Sequence, residues 1–423
     1  MSARVQTWAF EIVKHGYTFG GLKKMRTIKI NCKKGTKSLP ILSAAEVHQV
    51  VSDRIAEYLK LEADGYTCST QVVTDVLVKA SVEGRTVEST CNDLAAVSTG
   101  HTVRNYLNDQ LRPEDLPQIE ARVNAALTAD LPQRLWRGGP LDLAADLHDE
   151  PFYGKSEELV AYACRGAAKL GTTYFYRVAT LYHIHQGVPT TLALTFVQPG
   201  DTTVAVLQRL LTRAAHLGLQ WHCLYLDKGF CTIPVLRYLQ QQDYAAVLAC
   251  PIRGQTGGTR ALCTGRSSYR TTHTFTSAEH GSCTVPVAVV RTYDTSRRRR
   301  QRRKARWLVY VLVNADLRPE QARQRYRSRF GVETSYRCMR TIHAQTTARN
   351  AALRFFLIAL AFILVNVWVT LRWRFCQQPR RGGRLVDKDH FQLQRMGRFL
   401  RRAIERTYGT VDAIQALSVP LDP

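Results

Sequence analysis

Leu141-Asp-Leu-Ala-Ala-Asp146 is the stretch where the period of the chain changes, from helical repeats before it to strand-like alternation after it. In an extended strand alternate residues share a face, so Asp142 and Asp146 project from the same side. The turn residues Arg137-Gly138-Gly139-Pro140 set this strand off from what precedes it. Downstream, 173–184 and 189–197 are rich in β-branched and aromatic residues and read as two more strands of an antiparallel meander. Leucine, valine and alanine at helical spacing over 202–217 predict a helix, followed by the apolar strand His222-Cys-Leu-Tyr-Leu226, which ends in Asp227-Lys228-Gly229-Phe230. A further helix over 233–242 and an apolar strand over 245–249 complete the order βββαβαβ, an α/β class with a mixed sheet.

Beyond this unit, the pattern between Pro251 and Arg306 breaks into Gly, Thr and Ser with short strands such as 283–292, and it closes on the cationic run Arg297 to Arg306. Arg299, Arg300, Arg302 and Arg303 lie in that run, which cannot sit in a core and is expected to face a polyanion. Strand character resumes over 307–313. Pro319 and Glu320 then suit the first turn of a helix carrying Tyr-Arg-Ser-Arg-Phe-Gly-Val-Glu-Thr-Ser-Tyr-Arg-Cys-Met-Arg, 326–340. On one helix Tyr326, Arg329, Glu333 and Arg340 would share an arc of about 60°, a carboxylate flanked by cations. The apolar run Phe355 to Leu371 is at the short limit for crossing a bilayer and is interrupted by Asn366, so it reads as a buried core helix. A basic tail follows.

Before the opening stretch, Val47, Val50, Val51, Ile55 and Leu59 repeat at three and four, marking an all-helical region. Within it, 88–97, Ser98-Thr99-Gly100 and 101–111 have the outline of a helix-turn-helix, whose second helix would offer Thr102, Arg104, Asn105 and Asn108 to base edges. An ordinary helical hairpin gives the same pattern. Residues 1–40 mix aromatic and basic residues without sustained period. The expected division is a 1–40 arm, a 41–136 helical DNA-binding domain, a catalytic unit in two parts at 137–253 and 306–375, a β-rich basic insertion at 254–305, and a basic tail at 376–423.

The chain has 423 residues with 59 Lys and Arg against 34 Asp and Glu, a net charge of +25 that attracts polyanions, nucleic acid first among them. Eleven cysteines occur singly, without a Cys-x-x-Cys pair or finger-like spacing to histidine, and read as reduced thiols. The N-terminus lacks the order of a secretory signal, so a cytosolic rather than a secreted protein is expected. His183 and His185 form a His-x-His pair that nothing completes as a zinc site.

Asp146, Asp227 and Glu333 sit on separate elements that a mixed sheet can bring together. Carboxylates held that close repel and raise one another's pKa, so a divalent cation is the natural neutraliser, and hard oxygen ligands point to Mg²⁺ or Mn²⁺. Two such ions can activate a water or a 3′-hydroxyl and stabilise the leaving oxygen at a phosphodiester. Asp142 and Asp149 are alternatives to Asp146 as the first ligand.

With its acidic helix and its insertion, the order βββαβαβ resembles the ribonuclease H-like fold. Tyr326, Arg329 and Glu333 match the Y-x2-R-x3-E-x6-K signature of DDE transposases of the insertion sequence 4 group, whose last position is here Arg340. Asp146, in Asp-Leu-His-Asp-Glu-Pro-Phe-Tyr-Gly, resembles that group's first aspartate, and Asp227, in Leu-Asp-Lys-Gly-Phe, its second. The resemblance implies a transposase that binds double-stranded DNA at its terminal inverted repeats as a homodimer, with no membrane partner. It would cleave and transfer strands at one two-ion Mg²⁺ site, Asp146, Asp227 and Glu333 being both catalytic residues and metal ligands. By the same resemblance Tyr326, Arg329 and Arg340 contact DNA near the cleaved end; a tryptophan of that group's insertion stacks on a flipped base, but core packing is the better reading of Trp307. The alternative function is a transposase-derived DNA-binding protein without catalysis.

Overall fold

In the computed structural model, residues 40–132, 139–154, 160–185, 188–293, 305–381 and 383–414 are described. A bundle comes first: α1 (Ala44–Leu59), α2 (Thr70–Glu83), α3 (Val87–Asp93), α4 (Gly100–Gln110) and α5 (Leu116–Thr128). Ser43 and Glu46 form a reciprocal capping box at the start of α1, and Ser69, Thr86 and Thr99 cap the next three helices. The arginines of the 297–303 run lie outside the described residues, as do residues 1–39 of the expected arm.

The sheet is mixed and nine-stranded. Strand β1 (Leu141–Phe152) pairs antiparallel with β3 (Thr172–His183) on one side and parallel with β5 (Trp221–Leu226) on the other. The outer side of β3 carries β4 (Thr190–Val197) and a short hairpin partner that the period did not announce, β2 (Cys164–Lys169). Helix α6 (Thr203–His216) joins β4 to β5, and α7 (Ile233–Gln241) leads from β5 into β6 (Ala246–Cys250), which is parallel to β5. The 254–305 segment contributes β7 (Tyr269–Ser277) and β8 (Gly281–Tyr293). With β9 (Ala305–Val313) these strands extend the same sheet, since β9 pairs antiparallel with β6 and β8 with β9. This is the ribonuclease H-like arrangement, with a β-rich insertion ahead of the last acidic helix and an all-helical N-terminal part.

Each face of the sheet has its own core. Leu143 and Ala145 of β1 bury with α6 and α7 through Leu207, Leu210, Leu236 and Leu239. Ala144 and Phe152, on the opposite face, bury with the helical part and with α10 (Ala351–Phe375). Two short helices, α8 (Pro319–Ser328) and α9 (Gly331–Thr341), precede α10 on that side. Helix α10 meets the length and hydropathy criteria for a membrane span, yet 94% of its most apolar window is buried inside the fold, as expected for a core helix. Full burial of each Leu, Ile or Phe contributes about 1.5–3 kcal/mol, which makes α10 the axis of the molecule. Its one polar break is satisfied: the Asn366 amide donates to the Leu127 and Thr191 carbonyls at 2.8 and 2.7 Å and accepts from the Thr191 N–H at 3.2 Å. Asn124 on α5 brackets Leu194 of β4 with two 2.8 Å bonds, so the helical part covers what would be a bare strand edge.

The 376–423 segment is more than a tail. It contains a small hairpin, β10 (Gln377–Arg380) with β11 (Gly383–Val386), and a helix, α11 (Leu393–Tyr408). Met396, Leu400 and Ile404 of α11 are fully buried, while its arginines face outward. Lys79 of α2 donates to Glu405 of α11 at 3.2 Å, which ties the chain's end to its first helices.

Candidate active site

The register of the two central parallel strands places the first two acids. Ala145 of β1 stands opposite Leu226 of β5, so Asp146 and Asp227, one residue further along each strand, emerge side by side. Parallel strands lie about 4.8 Å apart, and like charges at that range require a counter-charge. Asp227 opens the turn Lys228–Phe230, which is anchored by the fully buried Phe230, but its carboxylate does not cap that turn and is left for the site.

Arg329 supplies the counter-charge. Its guanidinium nitrogens lie 3.3 Å from Asp146 Oδ2 and 3.6 Å from Asp227 Oδ1, and its side chain is 8% exposed, against 18% and 31% for the two aspartates. Burial raises the Asp146 pKa, Arg329 acts against that rise, Asp227 adds to it, and the Leu147 N–H donates to Oδ1 at 2.9 Å. Burial also opposes the charge on Arg329, but Tyr326 and the carboxylates of Asp146, Asp227 and Glu333 outweigh it and raise the arginine's pKa. The Arg329 guanidinium lies over the Tyr326 ring at 5.2 Å, and the Tyr326 hydroxyl donates to the Leu226 carbonyl at 3.3 Å. The buried Tyr326 thereby fastens α8 to the strand end that carries Asp227.

The single helix expected over 326–340 is instead two. Arg329 and Phe330 link α8 to α9 with three-residue hydrogen bonds, Arg329 N–H to Tyr326, Phe330 N–H to Arg327 and Val332 N–H to Arg329. A tighter step of this kind re-aims the helix that follows. Gly331 permits it, because a Cβ there would meet the Tyr182 hydroxyl at 2.8 Å. Glu333 and Arg340 belong to the second helix, α9, and stand exposed on it, whereas Tyr326 and Arg329 are buried. Glu333 acts electrostatically on Arg329 but forms no hydrogen bond or salt bridge among the described residues.

Of the alternative first ligands, Asp149 belongs to the other face of β1 and pairs with Arg177 at 2.7 Å. Asp142 shares the face of Asp146, and burial raises its pKa against the pull of His222 and Arg325. The sequence reading passed over His148 and Glu150, which continue the Asp146 face at a period of two. His148 stacks on Tyr336 of α9 at 5.2 Å, and its Nε2 lies 3.5 Å from Glu150, whose other oxygen is 3.8 Å from Arg354. Strand alternation was the available signal for both.

The remaining candidates are scattered. Arg104 on α4 pairs with Glu88 of α3 at 3.1 Å while half-exposed, and Asn105 and Asn108 are exposed on the same helix. The first helix of that pair ends at Asp93, earlier than its period implies, because Leu94 turns extended to bridge Thr410. Gly100 lets the two helices touch, since a Cβ there would lie 2.7 Å from Glu88 Cα. Trp307 is half-buried under Arg291, whose guanidinium is 5.7 Å from the ring. The His183 and His185 rings lie 5.5 Å apart, and burial pushes the His183 pKa down to about 4. All described cysteines are free.

A family model described as a transposase DDE domain matches residues 155–366, half of the chain. The chain belongs to that family. The match spans Asp227 and Glu333 and begins after Asp146. No curated protein matches the chain. Transposase DDE domains act on DNA in transposition and generally use divalent metal ions. Asp146 and Asp227 fit such an ion in type and in pairing, being hard oxygen donors whose mutual repulsion already calls for a cation. Glu333 stands apart, and among the described residues no three acidic, histidine or cysteine side chains are grouped closely enough to hold an ion together.

Proposed function

We propose that this chain is a transposase of the insertion sequence 4 group that binds the terminal inverted repeats of its own element and catalyses DNA strand cleavage and strand transfer. The observation that carries the reading is the β1–β5 register, which sets Asp146 and Asp227 together beneath Arg329, with Glu333 on the next helix. Asp146, Asp227 and Glu333 would hold two Mg²⁺ ions, or Mn²⁺ in their place. Bound there, the ions supply a more acidic water or 3′-hydroxyl and a stabilised leaving oxygen.

The protein's own groups do the rest. Arg329 keeps the two aspartates close before the site is loaded, and it has to slacken its 3.3 and 3.6 Å contacts for them to turn toward an ion. Arg340 offers an uncommitted charge to the DNA strand, as a point contact or a fork where the group's signature has lysine. Arg104 and Asn105 serve end recognition, and Arg299, Arg300, Arg302 and Arg303 grip phosphates. Tyr326, placed in the core, serves the site by holding α8. Acting on two ends requires two copies, so the working form is a homodimer on DNA, at the nucleoid of a prokaryotic cytoplasm.

A second reading, a DNA-binding protein without cleavage, draws on the same ion pairs, since Arg329 neutralises the aspartates and Glu333 stands apart. One experiment separates the two. Duplexes copied from the DNA flanking the reading frame are incubated with the wild-type chain and with Glu333→Gln in Mg²⁺. Nicking by the wild type and a loss of at least about 100-fold in the variant, with end binding retained, supports the transposase. Binding without nicking by either chain supports the second reading.

A further inference from the structure

A cavity of about 620 Å³ opens on one flank of α9, the helix that carries Glu333. Thr334, Arg337, Cys338 and Thr341 line it at helical spacing, Tyr182 and Trp368 give it aromatic walls, and Arg372 and Lys388 supply further charge. None of its lining residues is acidic. Arg372, on the core helix α10, is 5% exposed and lies over the Trp368 ring at 4.5 Å. Among the described residues it has no hydrogen bond or salt bridge, and its Nε is buried without an acceptor. Burial lowers its pKa, and the carboxylates of Asp387 and Asp389 only partly oppose this. Buried guanidinium groups are ordinarily paired, so an unpaired one facing a cavity asks for an anion.

A second cavity of about 740 Å³ shares Thr341, Gln392 and Gln394 with the first and continues past Arg85, Arg398 and Arg401. Its one acid, Glu83, is already paired with Lys79 at 2.8 Å. The cations thus follow a line rather than a point, which suits a polyanion better than a single small ion.

We propose that these joined cavities form a track for a DNA strand, with Arg372, Arg337 and Lys388 gripping one backbone phosphate on the flank of the helix that carries Glu333. The track rests on the transposition reading for its source of DNA, and its chemistry is recognition of a phosphodiester.

The test measures binding of a fluorescent end duplex by anisotropy across a salt series, using the full chain, Arg372→Met, and the double variant Arg337→Ala/Lys388→Ala. Arg337 and Lys388 are exposed, so the double variant answers even where Arg372→Met fails to fold. Loss of one phosphate contact should lower the slope of log K against log salt by about 0.9. That fall in the double variant, with an unchanged melting temperature, supports the track. An unchanged slope, while the wild type binds and nicks end DNA, overturns the track and leaves the transposase reading standing. Absence of DNA binding by the wild type overturns both. Inorganic pyrophosphate is the free-anion probe: if it stabilises the wild type more than the double variant while the DNA slope stays the same, the occupant is a free anion and the strand assignment falls.

Discussion

Tyr326 and Arg329 on one side of a helix break, and Glu333 and Arg340 on the other, belong to one continuous stretch and meet opposite environments. The first pair is buried and already engaged with the Leu226 carbonyl and with the carboxylates of Asp146 and Asp227. The second pair is exposed and forms no hydrogen bond or salt bridge among the described residues. The step at Arg329–Phe330 separates the two pairs, ending α8 at Ser328 and starting α9 at Gly331. What the contrast teaches is a division of labour. Tyr326 and Arg329 bind the two aspartates and their strand, whereas Glu333 and Arg340 remain free for something from outside the chain.

The sharpest way to break the comparison is at Arg329. Arg329→Met should destabilise the chain by about 3 kcal/mol in urea unfolding, because it leaves two neighbouring aspartates without their cation. A change within about 0.5 kcal/mol would place Arg329 with the surface residues and erase the contrast. Tyr326→Phe should cost about 1 kcal/mol, the loss of one buried hydrogen bond. Its effect on DNA affinity should be indirect, so a large fall in affinity with unchanged stability would return Tyr326 to the DNA-facing set.

Asp146 sharpens the picture through pH. Burial raises its folded pKa above the ordinary 3.8, so the folded state binds more protons than the unfolded chain in the window just above that value. Wild-type stability from this group is therefore fully present below the ordinary pKa and is lost as pH rises through the raised one. Asp146→Asn lacks this titration, and its stability relative to wild type should improve as pH rises through the window. A relative stability of the variant that stays constant, or falls, as pH rises contradicts a raised pKa. The smallest effect is expected at Arg340. Arg340→Ala should change stability by less than about 0.5 kcal/mol while reducing the salt slope of DNA binding by about 1.

Much of this was legible in the residues. Alternation in β1, the apolar run ending at Asp227 and the helical periods of α6 and α7 each announced themselves, and Asn366 marked α10 as a core helix with one polar break to satisfy. Other features lay beyond pattern. Strand β2 is six mostly exposed residues, too short and too polar to carry a period. At the break between α8 and α9 Gly331 comes so close to Tyr182 that a Cβ would not fit, a distance that no local period encodes. Arg329 turns inward because two aspartates wait there, whereas a lone arginine in a basic run is read as solvated. Helix α11 could have been found, since Leu393, Met396, Leu400 and Ile404 repeat at helical spacing beneath the arginines that drew attention away from them.

The central claim is that Asp146 and Asp227 form one half of a divalent-metal site that Glu333 completes. Titration of the wild-type chain and of Asp227→Asn with Mn²⁺, followed by electron paramagnetic resonance of the free ion, tests it most directly. The account predicts saturable uptake of about two ions per wild-type chain and its loss in the variant. Equal uptake by both chains, or none by the wild type at millimolar Mn²⁺, would contradict it.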